Sequence, residues 1–414
     1  MLSGAVSPPP SKSQAHRLLI CAALGTEHCS IACSAVNDDI LATMNSLNAL
    51  GADIKYDGTS FEVSPIKVKQ GGLLDCGESG STLRFLMSVA AVLGADATFT
   101  GSGKLPYRPN GPLCEALAAH GISFERMCPD AELPLACKGK LHGGEFQLPG
   151  NISSQYLTGL LFALPLAAES SRVDIIDELT SASYIAMTID ALKKAGIIIE
   201  EEKNRYTIPG GQQYCLPGNL AVEGDWSAAA FWLVAGVVGK SPITVCGMDV
   251  NSLQGDRRII EHLRKMGACI VEDGSNVTAI PSHLFATEID CSDTPDLVPV
   301  LSVAAAAAEG QTLFTNVGRL RYKECDRLAA INAMLSAFGI TSQIGDDTLL
   351  VCGGDAKSFA PVDSFADHRI AMSAAIMSLL SDADTVINGA ECVAKSYPRF
   401  FEDFVALGGK VLKI

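Results

Sequence analysis

Residues 77–94, GESGSTLRFLMSVAAVLG, join a polar start to an apolar run that ends at a glycine. The run is apolar on most faces of the helix that it predicts, so we expect that helix to be buried on most sides. A helix of this kind recurs at steps of 68 to 73 residues, beginning near Ser13, Ser81, Ser154, Ser227, Asp296 and Asp367. The fold therefore depends on how six buried helices are enclosed.

A second type of helix recurs with the same period. An apolar residue, three residues of any kind and a glycine occur as LNALG, LAAHG, LKKAG, LRKMG, LSAFG and FVALG, with the glycines 69 to 75 residues apart. A glycine at that place favours a left-handed helix cap. A short strand precedes each of these helices and an extended segment usually follows it. The chain therefore contains six copies of one unit of about 70 residues.

Two domains follow from the repeats. One unit cannot bury its apolar helix alone, whereas three units that close around three such helices can. Six units then make two domains, and a chain of 414 residues exceeds what one core usually serves. The alternative is a purely structural repeat array that binds no ligand.

Composition excludes several functional classes. A net charge of −15 argues against nucleic acid or an anionic membrane as the main partner. Apolar runs such as AAAFWLVAGVVG, residues 228–239, are too short to cross a bilayer, and the first residues lack a signal-peptide pattern. The 14 cysteines show no metal-type spacing and indicate reduced thiols. We expect a cytoplasmic protein that acts as a monomer on small anionic substrates.

Cations accumulate at the helix starts although the chain is acidic. The starts of the apolar helices carry Lys12, Ser13, Arg17, Gly80, Ser81, Arg84, Ser153, Ser154, Gln155, Asp296, His368 and Arg369. The loops before the other helices add Arg108, Ser181, Tyr184, Lys323, Glu324, Arg327 and Lys395. If the repeats are equivalent, these groups gather on one face of each domain, and two opposed faces form a cleft. Helix N-termini and arginine forks bind anions, so we expect a ligand with more than one anionic group.

Two acids stand among these cations. In a cationic cleft Asp296 and Glu324 can serve as general base and general acid, but Asp296 in SDTPD suits a helix cap equally well. His368 fits either a structural histidine or a proton shuttle. The sequence contains no Walker motif, dinucleotide fingerprint or metal spacing, so we expect no cofactor and no metal.

Eight motifs occur in order along nearly the whole chain: PSKSQAHR, GESGSTLR, LPYRPNGPL, ISSQYLTGLL, VEGDWSAAAF, LRYKECDRL, DHRIAM and AKSYPRFF. Together they resemble the 5-enolpyruvylshikimate-3-phosphate synthase family. The resemblance implies an α/β fold of two inverted α/β barrel domains, each of three βαβαββ units with buried helices. Because the family's first residues join its C-terminal domain, the expected domains are residues 12–224, and residues 1–11 with 225–414, with the active site in the cleft between them.

The resemblance also implies a reaction of the shikimate pathway, on the route to chorismate and the aromatic amino acids. An enolpyruvyl group moves from phosphoenolpyruvate to the 5-hydroxyl of shikimate 3-phosphate, and phosphate is released. By matched motif, shikimate 3-phosphate would be held by Lys12, Ser13, Arg17, Ser153, Ser154, Gln155, Ser181, Asp296 and Lys323. Phosphoenolpyruvate, whose site the inhibitor glyphosate occupies in this family, would be held by Lys12, Gly80, Arg108, Gln155, Arg327, Arg369 and Lys395.

Three residues are the expected catalytic groups. Asp296 would take the proton of the 5-hydroxyl, Glu324 would deliver one to the methylene carbon, and Lys12 would lie between both substrates. Arg17 would pair with the shikimate carboxylate.

The chain departs from the family pattern at two places and has one near rival. Glu78 and Ser81 stand where the family commonly has Asn and Thr, and Arg319 stands where it often has Asn. The rival is the enolpyruvyl transferase that acts on UDP-N-acetylglucosamine. That enzyme carries Lys-Asn where this chain has Lys-Ser, and a reactive Cys in the loop that here is GSGKLPYR.

Overall fold

The structure is a computed structural model that describes residues 2–177 and 179–413. The first and last residues of the expected domain ranges therefore lie outside the described residues. The chain divides into two compact units. Pro10–Val222 form one, called here the N-terminal unit, and Met1–Pro9 with Glu223–Ile414 form the other, called the C-terminal unit.

Helices and short strands alternate along both units. The described helices are α1 (Lys12–Ala23), α2 (Asp38–Ala49), α3 (Gly80–Leu93), α4 (Gly111–Ala118), α5 (Ser154–Ala163), α6 (Ala182–Lys194), α7 (Trp226–Val238), α8 (Ile259–Lys265), α9 (Val298–Ala307), α10 (Arg327–Ala337), α11 (His368–Met377) and α12 (Phe400–Ala406). The described strands are β1 (Gly4–Val6), β2 (Cys29–Ala32), β3 (Asp53–Tyr56), β4 (Ser60–Ser64), β5 (Gly72–Asp75), β6 (Ala97–Thr100), β7 (Ile122–Arg126), β8 (Leu135–Gly139), β9 (Glu145–Leu148), β10 (Ser171–Ile175), β11 (Glu200–Glu202), β12 (Arg205–Ile208), β13 (Asn219–Ala221), β14 (Ile243–Val245), β15 (Cys269–Asp273), β16 (Asn276–Ile280), β17 (Glu288–Asp290), β18 (Gln311–Thr315), β19 (Ser342–Ile344), β20 (Thr348–Cys352), β21 (Val362–Asp363) and β22 (Ile387–Asn388). Short 3-10 helices that matter for the site are Gly255–Arg258, Pro295–Leu297, Gly318–Tyr322 and Ala390–Lys395.

The N-terminal unit repeats one sheet pattern. Its described strands form sheets in the orders β13-β2-β4-β3, β5-β6-β8-β7 and β9-β10-β12-β11. In each sheet the first two strands are parallel and the other neighbours are antiparallel. The apolar helices α1, α3 and α5 precede the second strand of their sheets, and α2, α4 and α6 follow it. This is the expected βαβαββ unit.

Two repeats take their first strand from a distant part of the sequence. The first strand of the first repeat is β13, which comes at the end of the N-terminal unit and pairs with β2 through Leu220 and Ile31. The first strand of the fourth repeat is β1 at the start of the chain, which pairs with β14 through Ala5 and Thr244. Each unit therefore contains the strands that complete its own repeats.

The C-terminal unit repeats the pattern with one departure. Sheets in the orders β1-β14-β16-β15 and β17-β18-β20-β19 match the N-terminal ones. The sixth repeat has only β21 and β22 among the described residues. Its helix α12 ends just before Gly408.

The core of each unit is made by its apolar helices. In α3 all residues except Ser81 and Leu93 are buried, and Gly94 ends the helix with a left-handed φ of 64°. Helix α5 packs closely on α3 because Gly159 has no side chain: a methyl group there would lie 2.5 Å from the Arg84 carbonyl oxygen. Helices α7, α9 and α11 are buried in the same way in the C-terminal unit. This confirms the expected inverted α/β arrangement, in which the helices are inside and the sheets outside.

None of the described helices is both long enough and apolar enough to span a membrane.

Candidate active site

Asp296 is the centre of a charged cluster at the helix starts of the C-terminal unit. Its Oδ1 accepts hydrogen bonds from Arg327 NH1 at 2.7 Å and Lys323 Nζ at 3.3 Å. Arg369 NH2 donates to Oδ2 at 3.2 Å, and Arg369 NH1 donates to the Asp296 carbonyl oxygen at 3.0 Å. Thr294 and Leu297 hold the cap positions of the two neighbouring helices, so Asp296 is not a helix cap.

The charges around Asp296 decide its protonation. Burial alone would raise the pKa of this carboxyl, but Arg369, Lys323 and Arg327 outweigh that effect and hold the pKa well below its ordinary value. Burial lowers the pKa of Lys323 to about 8, although Asp296 attracts its proton. Asp296 is therefore ionised at neutral pH, and Lys323 loses its positive charge in weak alkali.

Arg327 connects both expected catalytic acids. Besides Asp296, it binds Glu324 through NH2 at 2.5 Å and Asp367 through Nε at 2.7 Å. The side chain is 1% exposed, so one buried guanidinium bonds to three carboxylates. Burial would lower the pKa of Arg327, but Asp367, Glu324 and Asp296 raise it well above the ordinary value. Arg327 is thus a permanent cation that fixes the distance between a possible base and a possible acid.

The start of α11 and the last 3-10 helix complete this cluster. Asp367 caps α11 by accepting from the Arg369 backbone N–H at 2.9 Å, which aims the arginine side chain from the first turn. His368 is buried at the same helix start. Lys395 Nζ donates to the Ala366 carbonyl oxygen at 2.8 Å. The residues that follow β21 and β22 therefore converge on the turn that precedes α11.

In the N-terminal unit, the start of α1 presents its two cations in fixed positions. Lys12 Nζ lies 2.8 Å from Asp39 Oδ2. Arg17 is buried, and it donates to Thr188 Oγ1 at 2.9 Å, to the Ser13 carbonyl oxygen at 2.7 Å and to the Tyr184 carbonyl oxygen at 2.9 Å. Burial lowers the pKa of Arg17 to about 10, so it remains charged at neutral pH.

A second network joins the starts of α3 and α5. Arg84 donates to Gln155 Oε1 at 2.7 Å and to Asn110 Oδ1 at 3.0 Å. Gln155 Nε2 in turn donates to Ser81 Oγ at 3.0 Å. The carboxamide of Gln155 is therefore held at both ends, and Ser81, Arg84 and Gln155 lie together as the repeats predict.

Gly80 leaves room for the Arg108 side chain. A methyl group at Gly80 would lie 2.9 Å from Arg108 NH1 and 3.1 Å from its central guanidinium carbon. Asn110 Nδ2 donates to the Arg108 carbonyl oxygen at 3.1 Å, which ties this loop to the Arg84 network. Arg108 is thus placed against the first residue of α3.

Serines fill the expected positions at two other helix starts. Ser153 caps α5 by accepting from the Gln155 backbone N–H at 3.3 Å, and Ser154 is buried as its first residue. Ser181 lies at the start of α6 with a φ of 58°, in the left-handed region. Such a conformation is uncommon for a residue with a side chain and occurs mostly where the surroundings impose it.

Two residues that depart from the family pattern, Glu78 and Arg319, contact neighbouring loops. The Glu78 carboxylate lies against Gly103, where a methyl group would overlap it. Arg319 donates to the carbonyl oxygens of Cys291 and Ser292 and so braces the turn that leads to Asp296. Both side chains therefore support loops.

Sequence reasoning missed the partners of the expected residues. Asp39 contacts Lys12, Asn110 contacts Arg84, and Asp367 contacts Arg327. None of these three partners is among the residues expected in the site. Asp39 and Asp367 do have a signal in the sequence, because each lies at a helix start in the repeat pattern. Asn110 also precedes a helix, but only the fold shows that it contacts Arg84.

The described residues contain no group of three or more His, Cys, Asp or Glu side chains that could hold a metal ion.

Comparison with known proteins agrees with this picture. A family model described as EPSP synthase (3-phosphoshikimate 1-carboxyvinyltransferase) matches residues 1–404. Two curated relatives are named 3-phosphoshikimate 1-carboxyvinyltransferase: one from Clostridium kluyveri is 42% identical over 413 residues, and one from Clostridioides difficile is 40% identical over 424 residues. Each alignment covers 99% of this chain and 96% of the relative.

Solved structures show the same fold. A structure of EPSP synthase from Acinetobacter baumannii superposes with a TM-score of 0.81 at 25% identity, covering 98% of this chain and 96% of that one. The enolpyruvyl transferase NikO from Streptomyces tendae has a TM-score of 0.78 at 19% identity and supports the fold alone. The resemblance carried by the eight motifs is confirmed, and the chain belongs to the EPSP synthase (3-phosphoshikimate 1-carboxyvinyltransferase) family.

Proposed function

We propose that this chain transfers the enolpyruvyl group of phosphoenolpyruvate to the 5-hydroxyl of shikimate 3-phosphate and releases phosphate. The observation that carries the proposal is the contact of Arg327 with both Asp296 and Glu324 in a member of this family. A base, an acid and cations that can neutralise phosphate and carboxylate groups are thereby combined at one set of helix starts.

The substrate assignments of the proposal are those of the matched motifs. In the proposal, the two domains are residues 12–224, and residues 1–11 with 225–414. Shikimate 3-phosphate is assigned to Lys12, Ser13, Arg17, Ser153, Ser154, Gln155, Ser181, Asp296 and Lys323. Phosphoenolpyruvate is assigned to Lys12, Gly80, Arg108, Gln155, Arg327, Arg369 and Lys395. The rigid hydrogen bonding of Arg17 and Gln155 supports these roles, because it fixes their polar groups before a ligand arrives.

Asp296 can act as a base only if its cations are partly withdrawn. Three cations hold its pKa well below the ordinary value, and a base so acidic accepts a hydroxyl proton poorly. Phosphoenolpyruvate brings a phosphate and a carboxylate that compete for Arg327 and Arg369. When these arginines donate some of their hydrogen bonds to the substrate instead, the pKa of Asp296 rises. Asp296 then becomes a better base for the 5-hydroxyl.

The proposed chemistry then runs in two steps. The 5-hydroxyl loses its proton to Asp296 and its oxygen bonds to the second carbon of phosphoenolpyruvate, while Glu324, protonated in the substrate complex once Arg327 bonds to phosphoenolpyruvate, gives a proton to the methylene carbon. In the second step the bond to the phosphate oxygen breaks as the leaving phosphate takes the proton from Asp296, and the methyl carbon returns a proton to Glu324 to restore the double bond. Phosphate leaves, the enol ether is the product, and both acids can return to their starting protonation states.

The remaining parts of the proposal are a monomer and a cytoplasmic location. The net charge of −15 supports a freely diffusing protein that does not associate with nucleic acid or anionic lipid. Gel filtration at two protein concentrations checks the monomer: a single elution volume for a protein of 43.4 kDa is expected.

The function is tested by offering two acceptor substrates with phosphoenolpyruvate. We expect phosphate release with shikimate 3-phosphate and none with UDP-N-acetylglucosamine. Release only with the nucleotide sugar would assign the chain to the rival transferase. No release with either acceptor, from protein that melts cooperatively, would contradict the proposal.

A further inference from the structure

In several repeats, a residue near the start of the buried helix contacts a residue near the start of the outer helix. In the first repeat Lys12, at the start of the buried helix, pairs with Asp39, which lies 27 residues later at the start of the outer helix. In the fifth repeat Asp296, just before the buried helix α9, and Lys323, four residues before the outer helix α10, are also 27 residues apart and in contact. Both pairs consist of residues in, or directly beside, the expected substrate sites. In this fold, the residue about 27 positions after the start of a buried helix thus lies in or beside the expected substrate sites.

The fourth repeat fills these positions with Ser227 and Asp256. Ser227 lies in the first turn of α7, and its hydroxyl donates to Asp256 Oδ2, 29 residues later. Asp256 lies in the 3-10 helix Gly255–Arg258, which precedes the outer helix α8. Gln254, in the same loop, accepts from the Trp226 backbone N–H at 3.0 Å, so the loop is fixed against the start of α7. Neither Ser227 nor Asp256 has a part in the proposed chemistry.

The Asp256 carboxyl is in an unusual environment for an acid. The residue is 3% exposed, and its Oδ1 is buried with no hydrogen-bond partner in residues 2–177 and 179–413. A buried carboxylate with one unsatisfied oxygen is costly, and a protonated carboxyl is much less so. The geometry therefore favours the neutral acid.

The charges that face Asp256 act in the same direction. Burial and then the charge of Asp296 raise the pKa of Asp256 to about 7, while Arg369 and the Ser227 hydroxyl lower it in part and Asp225 raises it. The cations of its own element are occupied elsewhere, because Arg257 pairs with Glu272, and Arg258 pairs with Glu261 and Asp293. Asp256 thus changes charge within the pH range in which an enzyme works, and its charge interacts with those of Asp296 and Arg369.

We propose that Asp256, hydrogen-bonded by Ser227, is a further positioning residue of this site. While the Asp256 carboxyl is neutral, Arg369 is available to bind the phosphoenolpyruvate anion. When the Asp256 carboxyl ionises, its negative charge weakens the binding of that anion. The inference rests on the proposed function, which assigns Arg369 to phosphoenolpyruvate. Arg369 already bonds to the carbonyl and carboxylate oxygens of Asp296. A second negative charge beside it would attract the guanidinium further and repel an incoming phosphate or carboxylate.

The test compares wild type with Asp256→Asn, an isosteric change that keeps the side chain neutral at every pH. Steady-state rates are measured from pH 6 to 8.5 with phosphoenolpyruvate varied and shikimate 3-phosphate saturating. The ratio of kcat/KM of the variant to that of wild type is used because the ionisation of phosphoenolpyruvate itself cancels in it. We expect a ratio near one at pH 6 that rises roughly three- to tenfold by pH 8.5, which corresponds to half to one pKa unit of interaction.

The rise of this ratio should come from KM: with increasing pH, the KM of wild type for phosphoenolpyruvate should increase more than the KM of the variant. The kcat should have the same pH profile in both proteins. A role in packing alone would lower activity equally at every pH. Asp273→Asn is the matched control because Asp273 is an exposed acid of the same unit, and its ratio should not change with pH.

Ser227→Ala provides a second variant that keeps the acid. Removing the hydroxyl that stabilises the ionised carboxyl should move the pH at which KM rises to a higher value. A flat ratio for Asp256→Asn in an active enzyme would overturn this inference and leave the proposed function standing. If Asp256→Asn does not fold, an unmoved midpoint in Ser227→Ala overturns it. Absence of phosphate release by wild type would instead overturn the function itself.

Discussion

Arg327 and Asp296 are joined by a 2.7 Å hydrogen bond although 31 residues separate them in the chain. The same guanidinium reaches Glu324 and Asp367, so the position of the acids depends on one buried side chain. Its planar fork can serve three carboxylates at once, which an ammonium group cannot do with the same geometry. The arrangement links stability and chemistry at a single residue.

Replacing Arg327 should affect both properties. Arg327→Met leaves three carboxylates without their shared buried cation, and we expect a loss of about 3–5 kcal/mol in the free energy of unfolding. Arg327→Lys keeps the charge and should lose less stability, yet it should still lower kcat because the acids are no longer held by a fork. Denaturant unfolding and phosphate release measure the two effects. Equal stability of Arg327→Met and wild type would contradict the proposed importance of this contact.

Gly80→Ala should disturb phosphoenolpyruvate binding through Arg108. The added methyl group would lie 2.9 Å from Arg108 NH1, so the guanidinium must move. We expect the KM for phosphoenolpyruvate to rise and inhibition by glyphosate to weaken by roughly tenfold or more, the usual effect of one misplaced methyl group in a pocket.

Gly111→Ala is the matched control for this change, because a methyl group at Gly111 meets no atom within 4 Å. Its KM and its inhibition should equal those of wild type. If Gly80→Ala is inhibited by glyphosate as strongly as wild type, Gly80 does not line the phosphoenolpyruvate site.

Asp296→Asn and Glu324→Gln test the proton transfers. Each should lower kcat by roughly 10²–10⁴, the usual contribution of a general acid or base. Calorimetric titration should show that shikimate 3-phosphate still binds to Glu324→Gln, because that acid is not assigned to it. Near-normal turnover in either variant would make the residue structural.

Lys323 should give the activity an alkaline limit. Burial lowers its pKa to about 8 from the ordinary 10.5, so the ammonium loses its proton as the pH rises through 8. Because the cation is the form that binds a phosphate or carboxylate, kcat/KM for shikimate 3-phosphate should fall above that pH. Lys323→Arg keeps its charge and should move the fall to higher pH. An unmoved alkaline limb in Lys323→Arg would assign the limb to another group.

The repeats made much of the fold predictable. Ser81 and Ser154 mark helix starts in the repeat pattern, and they are the second residue of α3 and the first of α5. Glycines predicted the helix ends because they adopt the left-handed conformation there, as Gly51 and Gly339 do with φ of 109° and 74°. That the sixth repeat has only β21 and β22 among the described residues is not visible in the sequence, because its helix pattern continues to Gly408 as in the other repeats.

The candidate site was predictable in its cations and less so in their partners. Lys12, Arg327 and Arg369 stand at helix starts, where period and composition single them out. Their acidic partners lie in other elements, and pairings across 27 to 73 residues depend on how those elements pack. Asp256 illustrates the point: it follows Ser227 at nearly the offset that separates Lys323 from Asp296, but its burial and its missing partner are properties of the folded chain.

Phosphorus NMR of one reaction mixture tests the central claim most directly. Phosphoenolpyruvate and shikimate 3-phosphate each carry one phosphorus, and the proposed transfer releases only the first. With catalytic amounts of the wild-type protein we expect the phosphoenolpyruvate signal to be replaced by inorganic phosphate, while the 3-phosphate signal shifts and keeps its intensity. Phosphate release from phosphoenolpyruvate without shikimate 3-phosphate, or loss of the 3-phosphate signal, would contradict the account.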